Sequence, residues 1–395
     1  MADDLLHDLK FDKNRDEAAK QRFVMGLRGF VLNDMANGMR ARYESAVRPA
    51  IEHETGKAPA SGSEVHKAMK SDLYFKFYSS FRYNAQEMVW RSVIPPLERN
   101  LDHLKDRARH LDKTSACGSL SLDPELEIPK NVSEIDVHLA PGGYHTERGE
   151  DDLSAGALYD NGLHVFSFGL MGENLDDIGW SMAQYIKAKF PDFDPRVIVD
   201  AGCTIGHNSV AWAQSFPKAE VHAIDVAAPI LRYGHARAQS LGVPVHFAQM
   251  NAEAMDFDDD SVDVVFSSMF LHELSLKQIN NFMREAYRVL KPGGLLLNME
   301  LPPNNQMEAY DSFYLDWDCY YNNEPYYKGF RDQDYKGLCT KAGFAPDKYL
   351  QFITPQFTYM KPEEYRAAVG TERKIGSDTG RLANGIQWFG FGAWK

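Results

Sequence analysis

The chain has few cysteines and no excess of basic residues. Its 395 residues include 4 cysteines, 43 lysines and arginines, and 56 aspartates and glutamates, which gives a formal net charge of −13. The four cysteines are widely separated and lack the spacing of a metal site, so we predict reduced thiols in a cytoplasmic protein. Nucleic acid phosphates are bound by clustered lysine and arginine, so the charge argues against a nucleic acid partner.

Long apolar runs are also missing. No stretch approaches the roughly 18 uninterrupted apolar residues of a membrane span. The first eight residues lack the basic and apolar regions of a secretory signal. We therefore expect no membrane partner. The length predicts two or three domains, with enough residues for a large core.

One turn carries most of the functional information. A strand rich in β-branched residues ends in Asp200 and is followed by Gly202, Thr204 and Gly206 before a helix begins. Glycine lets a ligand approach the backbone because it has no Cβ. The amides at a helix N-terminus then point toward a polar ligand group. We expect a closely approaching ligand to be the reason for both glycines.

A second strand ends in Asp225, about 20 residues later, where a carboxylate can accept both hydroxyls of a ribose. The glycine turn lacks the spacing of a dinucleotide site. Asp200 would repel a pyrophosphate but suits a ligand with an ammonium group. S-adenosylmethionine carries an ammonium, a sulfonium and a ribose, so both carboxylates would find partners in it.

At this turn the sequence resembles the class I S-adenosylmethionine-dependent methyltransferases, whose turn reads D-x-G-x-G-x-G. Thr204 stands where the family usually has glycine, which is tolerable if its φ stays negative. Residues 249–253 resemble the segment after the family's third strand. Residues 258–267 resemble the acidic turn and fourth strand of the ubiquinone-type C-methyltransferases, and residues 290–297 the turn and fifth strand. The resemblance covers residues 170–350 well and 350–395 loosely, and it does not extend to the first 140.

The resemblance implies a fold and a cofactor. It implies an α/β, Rossmann-like, doubly wound sheet of seven strands that binds S-adenosyl-L-methionine. Asn251 would hold the adenine amino group through its carbonyl oxygen, and no metal ligands are predicted. The predicted cofactor-binding residues are Asp200, Gly202, Thr204, Gly206, Asp225, Val226, Asn251, Ala252, Ser267 and Met269.

The first 140 residues are predicted to form a helical region that the catalytic fold does not require. We expect a helix over about 14–55, then a capping box at Ser61 and Glu64 that begins a second helical stretch. This stretch should stop at Pro95 and Pro96, with a third helix beyond. We predict that residues 1–140 form a cap over the acceptor pocket, a dimerisation domain, or both.

The remaining boundaries follow from composition. Residues 141–170 are predicted to be a linker and a candidate active-site lid, with turns at 141–145 and 159–162. Residues 171–395 are predicted to be the cofactor-binding domain. Strands and helices alternate from about 197 to 300, which is typical of a parallel sheet.

Four residues are candidates for contact with a methyl acceptor. His272 is the candidate general base because histidine titrates near neutral pH, although the family often has a histidine here that only packs. Tyr144 lies on the candidate lid. Tyr310 and Tyr314 belong to an aromatic stretch, residues 310–330, that could be core or pocket lining. Tyrosines there could hydrogen-bond a polar acceptor or surround a cation.

These features predict in-line methyl transfer to a small-molecule acceptor, with release of S-adenosylhomocysteine. A base is needed only if the acceptor must lose a proton. Two alternatives stay open: a non-methylating enzyme on the same fold that performs a cyclisation or rearrangement, and a ligand-binding or scaffold protein without catalysis. A homodimer through the N-terminal helices is a further expectation.

Overall fold

An eight-stranded mixed sheet organises the part of the chain that the computed structural model describes, residues 6–115, 117–382 and 385–395. The strands are β1 (Ser119–Ser121), β2 (Val197–Ala201), β3 (Glu220–Asp225), β4 (His246–Gln249), β5 (Val262–Ser268), β6 (Leu290–Glu300), β7 (Tyr349–Pro355) and β8 (Gln387–Trp394). In the order β1-β4-β3-β2-β5-β6-β8-β7, the first six are parallel and β8 is antiparallel to both of its neighbours. The predicted seven-stranded sheet is confirmed in β2–β8, and the short β1 adds an edge strand.

Helices cover both faces of this sheet and form the N-terminal region. They are α1 (Arg15–Phe30), α2 (Ala36–Arg42), α3 (Arg48–Thr55), α4 (Gly62–Met69), α5 (Leu73–Thr114), α6 (Lys130–Ser133), α7 (Ser154–Phe166), α8 (Asp177–Lys189), α9 (His207–Ser215), α10 (Ala228–Ser240), α11 (Leu276–Val289), α12 (Ala309–Tyr321), α13 (Tyr327–Arg331), α14 (Tyr335–Ala342) and α15 (Pro362–Val369). In the described residues, none of these helices combines the length and apolarity that a bilayer crossing requires.

The predicted helix over residues 14–55 is confirmed as one continuous rod. Asn14 caps it in a capping box with Glu17, and Gly56 ends it at φ +75°. Two π-helical turns, Val31–Met35 and Tyr43–Val47, connect α1, α2 and α3 without a break. The predicted cap at Ser61 is also confirmed, because its side chain accepts the Glu64 amide and α4 begins there.

The prediction that Pro95 and Pro96 end a helix is wrong, because α5 runs through both. A proline lacks the N–H that would bond the carbonyl four residues earlier, so the carbonyls of Arg91 and Ser92 lose their helical donors. Side chains of α1 replace them. The Gln21 amide donates to the Ser92 carbonyl at 3.2 Å, and a lysine of α1 donates to the Arg91 carbonyl at 3.0 Å.

The turn predicted at residues 159–162 is also wrong, because these residues lie inside α7. Asp160 is fully buried there. Its carboxylate accepts a hydrogen bond from the Tyr233 hydroxyl at 2.6 Å and contacts the His7 ring nitrogen at 2.7 Å. A Cβ on Gly162 would come within 2.2 Å of the Trp90 ring. Packing against neighbouring helices therefore overrides the local turn propensity, whereas the turn at 141–145 is confirmed.

The aromatic stretch 310–330 connects the N-terminal helices to the α/β part. On α12, the Tyr310 ring lies 4.7 Å from the Tyr43 ring, and the Trp317 indole donates to the Ser79 hydroxyl at 2.9 Å. These side chains share one apolar core with residues of α2, α4 and α5. The helical region is therefore packed on the α/β part.

Candidate cofactor and acceptor site

A cavity of about 300 Å³ lies at the carboxyl ends of β2, β3 and β5, a size typical of small-molecule sites. The predicted site residues that line it are Gly202, Thr204, Asp225, Val226, Asn251, Ala252, Met269, Tyr144, His272 and Tyr314. Four other predicted residues are not part of the lining: Asp200, Gly206, Ser267 and Tyr310. The cavity therefore brings most of the predicted residues together and leaves these four outside its lining.

The turn after β2 is built on left-handed backbone. Gly202, Thr204 and Gly206 have φ values of +69°, +50° and +68°, so the negative φ that would make threonine easy to accommodate at position 204 is not found. A Cβ on Gly202 would lie 2.3 Å from the Phe270 ring, and one on Gly206 would lie 2.5 Å from the Phe247 ring. The protein's own rings and backbone conformation thus require both glycines, and the explanation by ligand approach alone is wrong.

Asp225 holds this turn against the end of β3. One carboxylate oxygen accepts the Thr204 amide at 3.0 Å, and the other accepts the Ala227 amide at 3.1 Å. Burial raises the pKa of Asp225, and the bonds from backbone amides oppose that rise. Each oxygen keeps a lone pair for a further donor. Ribose binding by this carboxylate stays a prediction, which its position on the cavity wall supports.

Asp200 lies behind the turn. Its carboxylate is buried and accepts the Ser209 hydroxyl of α9 at 2.6 Å, and burial raises its pKa to about 7. This position offers no support for the predicted contact with a ligand ammonium. Ser267 is similarly engaged within the fold, where its hydroxyl donates to the Asn298 side-chain oxygen at 2.7 Å.

His272 lies between two carboxylates at the cavity wall. Its Nδ1 is 2.6 Å from Glu300 Oε2, its Nε2 is 3.5 Å from Glu273 Oε1, and its ring stacks on Tyr327 with centroids 3.9 Å apart. Burial acts to lower its pKa, but the two carboxylates outweigh burial and raise the pKa well above the usual value. An imidazolium cannot accept a proton, so this geometry does not support the predicted general base.

The candidate lid residue Tyr144 faces the cavity beside three titratable groups. Its hydroxyl bonds the Nδ1 of His138 at 2.5 Å, and burial raises its pKa well above the ordinary value. The Nε2 of His138 is 3.2 Å from Glu324 Oε1 and 3.8 Å from Glu273 Oε1. These three groups could hold a metal ion. The 3.2 Å contact between His138 and Glu324 also fits a hydrogen bond without an ion.

Sequence reasoning missed the part of the lining that the N-terminal helices supply. Arg28 of α1 and Arg82 and Trp90 of α5 line the cavity, as does Arg381 near the C-terminus. A signal for Arg28 is present in the sequence. It follows Val24 by four positions, on the stripe of α1 that faces the core, where a charged side chain is uncommon unless it has a partner.

The parallel strand order, the glycine turn after β2 and the carboxylate at the end of β3 define a Rossmann-like nucleoside-binding domain. Residues 198–294 match the family model described as "Methyltransferase domain". The α/β part of the chain therefore contains a class I S-adenosylmethionine-dependent methyltransferase domain.

Two of the curated relatives show how far the sequence similarity extends. The malonyl-[acyl-carrier protein] O-methyltransferase of Xylella fastidiosa is 35% identical over 120 residues, which cover 30% of this chain and 39% of that protein. The ubiquinone/menaquinone biosynthesis C-methyltransferase of Bartonella quintana is 31% identical over 150 residues, which cover 33% of this chain and 57% of that protein. The chain thus spans 39% of the length of the first relative and 57% of the length of the second.

Among solved structures, the chain is similar to phosphoethanolamine N-methyltransferase 2 of Haemonchus contortus in complex with S-adenosyl-L-methionine. The sequence identity is 20%, the TM-score is 0.40, and the match covers 60% of this chain and 57% of that chain.

Proposed function

We propose that the protein binds S-adenosylmethionine and transfers its methyl group to a small molecule, releasing S-adenosylhomocysteine. The observation that carries this proposal is a cavity that the methyltransferase domain and the N-terminal helices line together. Thr204 and Asp225 line it from the cofactor turn, and Leu32 and Trp90 line it from the helical region. A cofactor at the turn and an acceptor beneath the helices would therefore meet in one enclosed space.

The proposed cofactor position follows the ends of three strands. The ribose lies on Asp225 after β3, the adenine lies near Asn251 after β4, and the methionine portion passes Met269 after β5. The Asn251 side-chain oxygen accepts the Glu253 amide at 2.9 Å and keeps one lone pair for the adenine amino group. The positions of these side chains in the lining support this arrangement.

In the proposed reaction, the main task of the protein is to position the acceptor; acid or base chemistry is secondary. The sulfonium already activates the methyl group, so the protein must hold the acceptor atom in line and about 3 Å away. Apolar side chains such as Trp90, Phe166 and Ile178 line the cavity and keep water from the reacting atoms. The neighbouring carboxylates favour the charged form of His272, so an acceptor that attacks with a free lone pair suits this site better than one that must lose a proton.

Calorimetric titration with S-adenosylmethionine and S-adenosylhomocysteine tests the proposal. We expect micromolar affinity for the wild-type protein. The Asp225→Ala variant should bind about a hundredfold more weakly, because two hydrogen bonds to a charged group are lost. Asp258→Ala, which changes an exposed carboxylate of the acidic turn, should bind normally. Failure of the wild-type protein to bind either compound would contradict the proposal and favour a scaffold protein.

Formation of S-adenosylhomocysteine separates methyl transfer from the remaining alternative. Incubation with S-adenosylmethionine and a panel of small acceptors should release S-adenosylhomocysteine in proportion to methylated product. A cyclisation or rearrangement would change the acceptor while leaving S-adenosylmethionine intact, and that outcome would overturn the proposed transfer.

A homodimer through the N-terminal helices and a cytoplasmic location stay predictions. The helices leave several large aromatic side chains in water, among them Phe23 and Phe30 of α1 and Phe77 of α5. Exposed apolar surface of this kind often marks an interface. Light scattering of the purified protein should give twice the mass of the chain, and the Phe77→Ser variant should shift that mass toward the monomer. A monomeric wild-type protein would contradict the homodimer.

A further inference from the structure

Arg28 is a buried cation at the cavity wall. The residue is 1% exposed; its Nε donates to the Phe166 carbonyl at 3.1 Å and its Nη1 donates to Gln86 Oε1 at 2.6 Å. Its Nη2 is buried and has no hydrogen-bond partner in the described part of the chain. A guanidinium stays protonated in proteins, and an unpaired buried charge is strongly destabilising. The structure thus leaves one buried N–H-bearing nitrogen without the acceptor it needs.

The carboxylate of Asp318 is engaged by a second arginine rather than by Arg28. Asp318 bonds the Nε of Arg82, and Arg82 Nη1 also shares Gln86 Oε1 with Arg28, at 3.3 Å. Burial, followed by repulsion from Arg82, lowers the pKa of Arg28 well below the usual arginine value. Two guanidinium groups therefore face one carboxylate here, and the cluster carries a net positive charge.

A third cation lines the same cavity. The Arg381 guanidinium lies 4.3 Å from the centroid of the Tyr314 ring, and its Nη2 donates to the Leu32 carbonyl at 3.2 Å. Within the described residues, no carboxylate forms an ion pair with Arg381 or with Arg28. The three arginines that line the cavity, Arg28, Arg82 and Arg381, thus come from α1, α5 and the segment before β8.

A purely structural role explains only part of the Arg28 geometry. Phe166 is the last residue of α7, and a cation near the C-terminal carbonyls of a helix is favourable. The Arg28 guanidinium also stacks on the Phe166 ring, 4.2 Å from its centroid. Both contacts use Nε and the guanidinium face. Neither supplies an acceptor for Nη2, and neither requires the group to line a cavity.

We propose that Arg28 binds an anionic group of the methyl acceptor, a carboxylate or a phosphate. A guanidinium offers N–H groups that match the paired oxygens of these anions. The inference rests on the proposed function and narrows its acceptor to organic anions. The anionic group lies against α1 and α5, with Arg381 as a second cation, while the atom that receives the methyl group points toward Met269 and the cofactor.

Three small probes test the anion subsite on the full-length protein saturated with S-adenosylhomocysteine. Benzoate and phenyl phosphate supply the two anions on an aromatic ring, and benzamide supplies the same ring without charge. Calorimetry should show binding of at least one anion, with benzamide about tenfold weaker or undetectable. Benzoate and phenyl phosphate are compared directly to distinguish a carboxylate site from a phosphate site.

Three variants locate the effect. Arg28→Met should weaken binding of the anion about tenfold to a hundredfold. The affinity of Arg28→Lys should lie between those of Arg28→Met and the wild type, because lysine keeps the charge but lacks the paired N–H donors of the guanidinium. Arg22→Met is the matched control, since Arg22 is an exposed arginine of the same helix. Thermal unfolding accompanies each titration. Arg28→Met should be no less stable than the wild type without ligand, because it removes an unpaired buried charge.

Equal affinity for benzoate, phenyl phosphate and benzamide would overturn the inference. Failure to bind either anion would also overturn it, and so would an anion affinity that is unchanged in both Arg28 variants. Titration with S-adenosylhomocysteine in the same preparations keeps the two proposals apart. Cofactor binding without anion binding would reject the anion subsite and leave the proposed function standing. Anion binding at Arg28 without cofactor binding would reject the proposed function and retain the subsite.

Discussion

Glu300 accepts the Nδ1–H of His272 at 2.6 Å and also fixes the loop that follows β5. Its second carboxylate oxygen accepts the amides of Phe270 and Leu271, at 2.9 and 2.7 Å. A single buried carboxylate at the end of β6 thus holds the loop that presents Met269 and His272 to the cavity. His272 is the cationic partner of this carboxylate, which makes it a positioning residue for the cavity wall.

The charge on His272 predicts a pH-dependent stability. His272→Gln should lower the free energy of unfolding by about 3 kcal/mol at pH 6, because it breaks a buried ion pair. The folded pKa is raised. The contribution of the ion pair is therefore complete below the unfolded pKa of about 6.5, falls as the pH rises, and is lost above the folded pKa. Urea unfolding at pH 6, 7.5 and 9 should show the wild type and the variant converging.

The exposed His110 supplies the control for this experiment. His110→Gln should change the stability little at any of the three pH values. A difference between wild type and His272→Gln that is the same at pH 6 and 9 would mean that His272 is neutral in the folded protein. That result would restore it as a candidate base.

The fold was largely predictable because its signals are local. A strand of β-branched residues, a turn with two glycines and a carboxylate after the next strand lie close together in sequence and predict the centre of the sheet. The course of α5 was not predictable, because the donor that bonds the Ser92 carbonyl in place of the missing proline N–H is Gln21, more than 70 positions away. Local propensity correctly identifies proline as a helix breaker; a tertiary contact overrides it here.

The candidate site was predictable on its cofactor side and not on its acceptor side. Asp225, Asn251 and Met269 follow strand ends, so the topology alone brings them together. Arg28 and Arg82 reach the cavity only because α1 and α5 pack over it, and no pattern within the methyltransferase domain indicates that packing. The burial of Asp200 behind the turn is also a property of α9, whose Ser209 bonds it.

Asp200 should also make the stability of the fold depend on pH, this time as a destabilising group at high pH. Burial raises its pKa to about 7, so the folded state holds a proton that the unfolded state releases near pH 4, and stability falls as the pH rises from 4 toward 7. Asp200→Asn removes this penalty and should stabilise the protein by about 1–3 kcal/mol at pH 8. This gain in stability should be smaller at pH 5. Urea unfolding of the wild type and the variant at pH 8 and pH 5 measures the two stability differences.

The same variant tests the predicted contact between Asp200 and a ligand ammonium. Because Asp200 lies outside the cavity lining, Asp200→Asn should change the affinity for S-adenosylhomocysteine less than about threefold. Calorimetry on the stabilised variant measures this directly. A tenfold or larger loss of affinity would show that Asp200 does reach the ligand when the cofactor is bound.

Steric contact and backbone strain can be separated at two glycines with nearly equal φ. Gly206 has φ +68° and would place a Cβ 2.5 Å from the Phe247 ring, whereas Gly242 has φ +67° with no atom within 4 Å of such a Cβ. Gly242→Ala should cost about 1 kcal/mol through left-handed backbone alone. Gly206→Ala adds overpacking and should cost about 3 kcal/mol. Equal losses of unfolding free energy in the two variants, measured by urea unfolding, would show that the Phe247 ring moves aside.

The way in which α5 continues through its two prolines can be tested by a double-mutant cycle between Gln21 and Pro96. Gln21→Ala leaves the buried Ser92 carbonyl without the donor that now lies 3.2 Å away, and should cost about 1–2 kcal/mol. Pro96→Ala restores the backbone N–H four residues after Ser92 and with it a helical donor for the same carbonyl. In the Pro96→Ala background, Gln21→Ala should therefore cost less than half as much. Urea unfolding of the four proteins gives the coupling energy, and a coupling near zero would mean that the amide of Gln21 does not replace the missing helical bond.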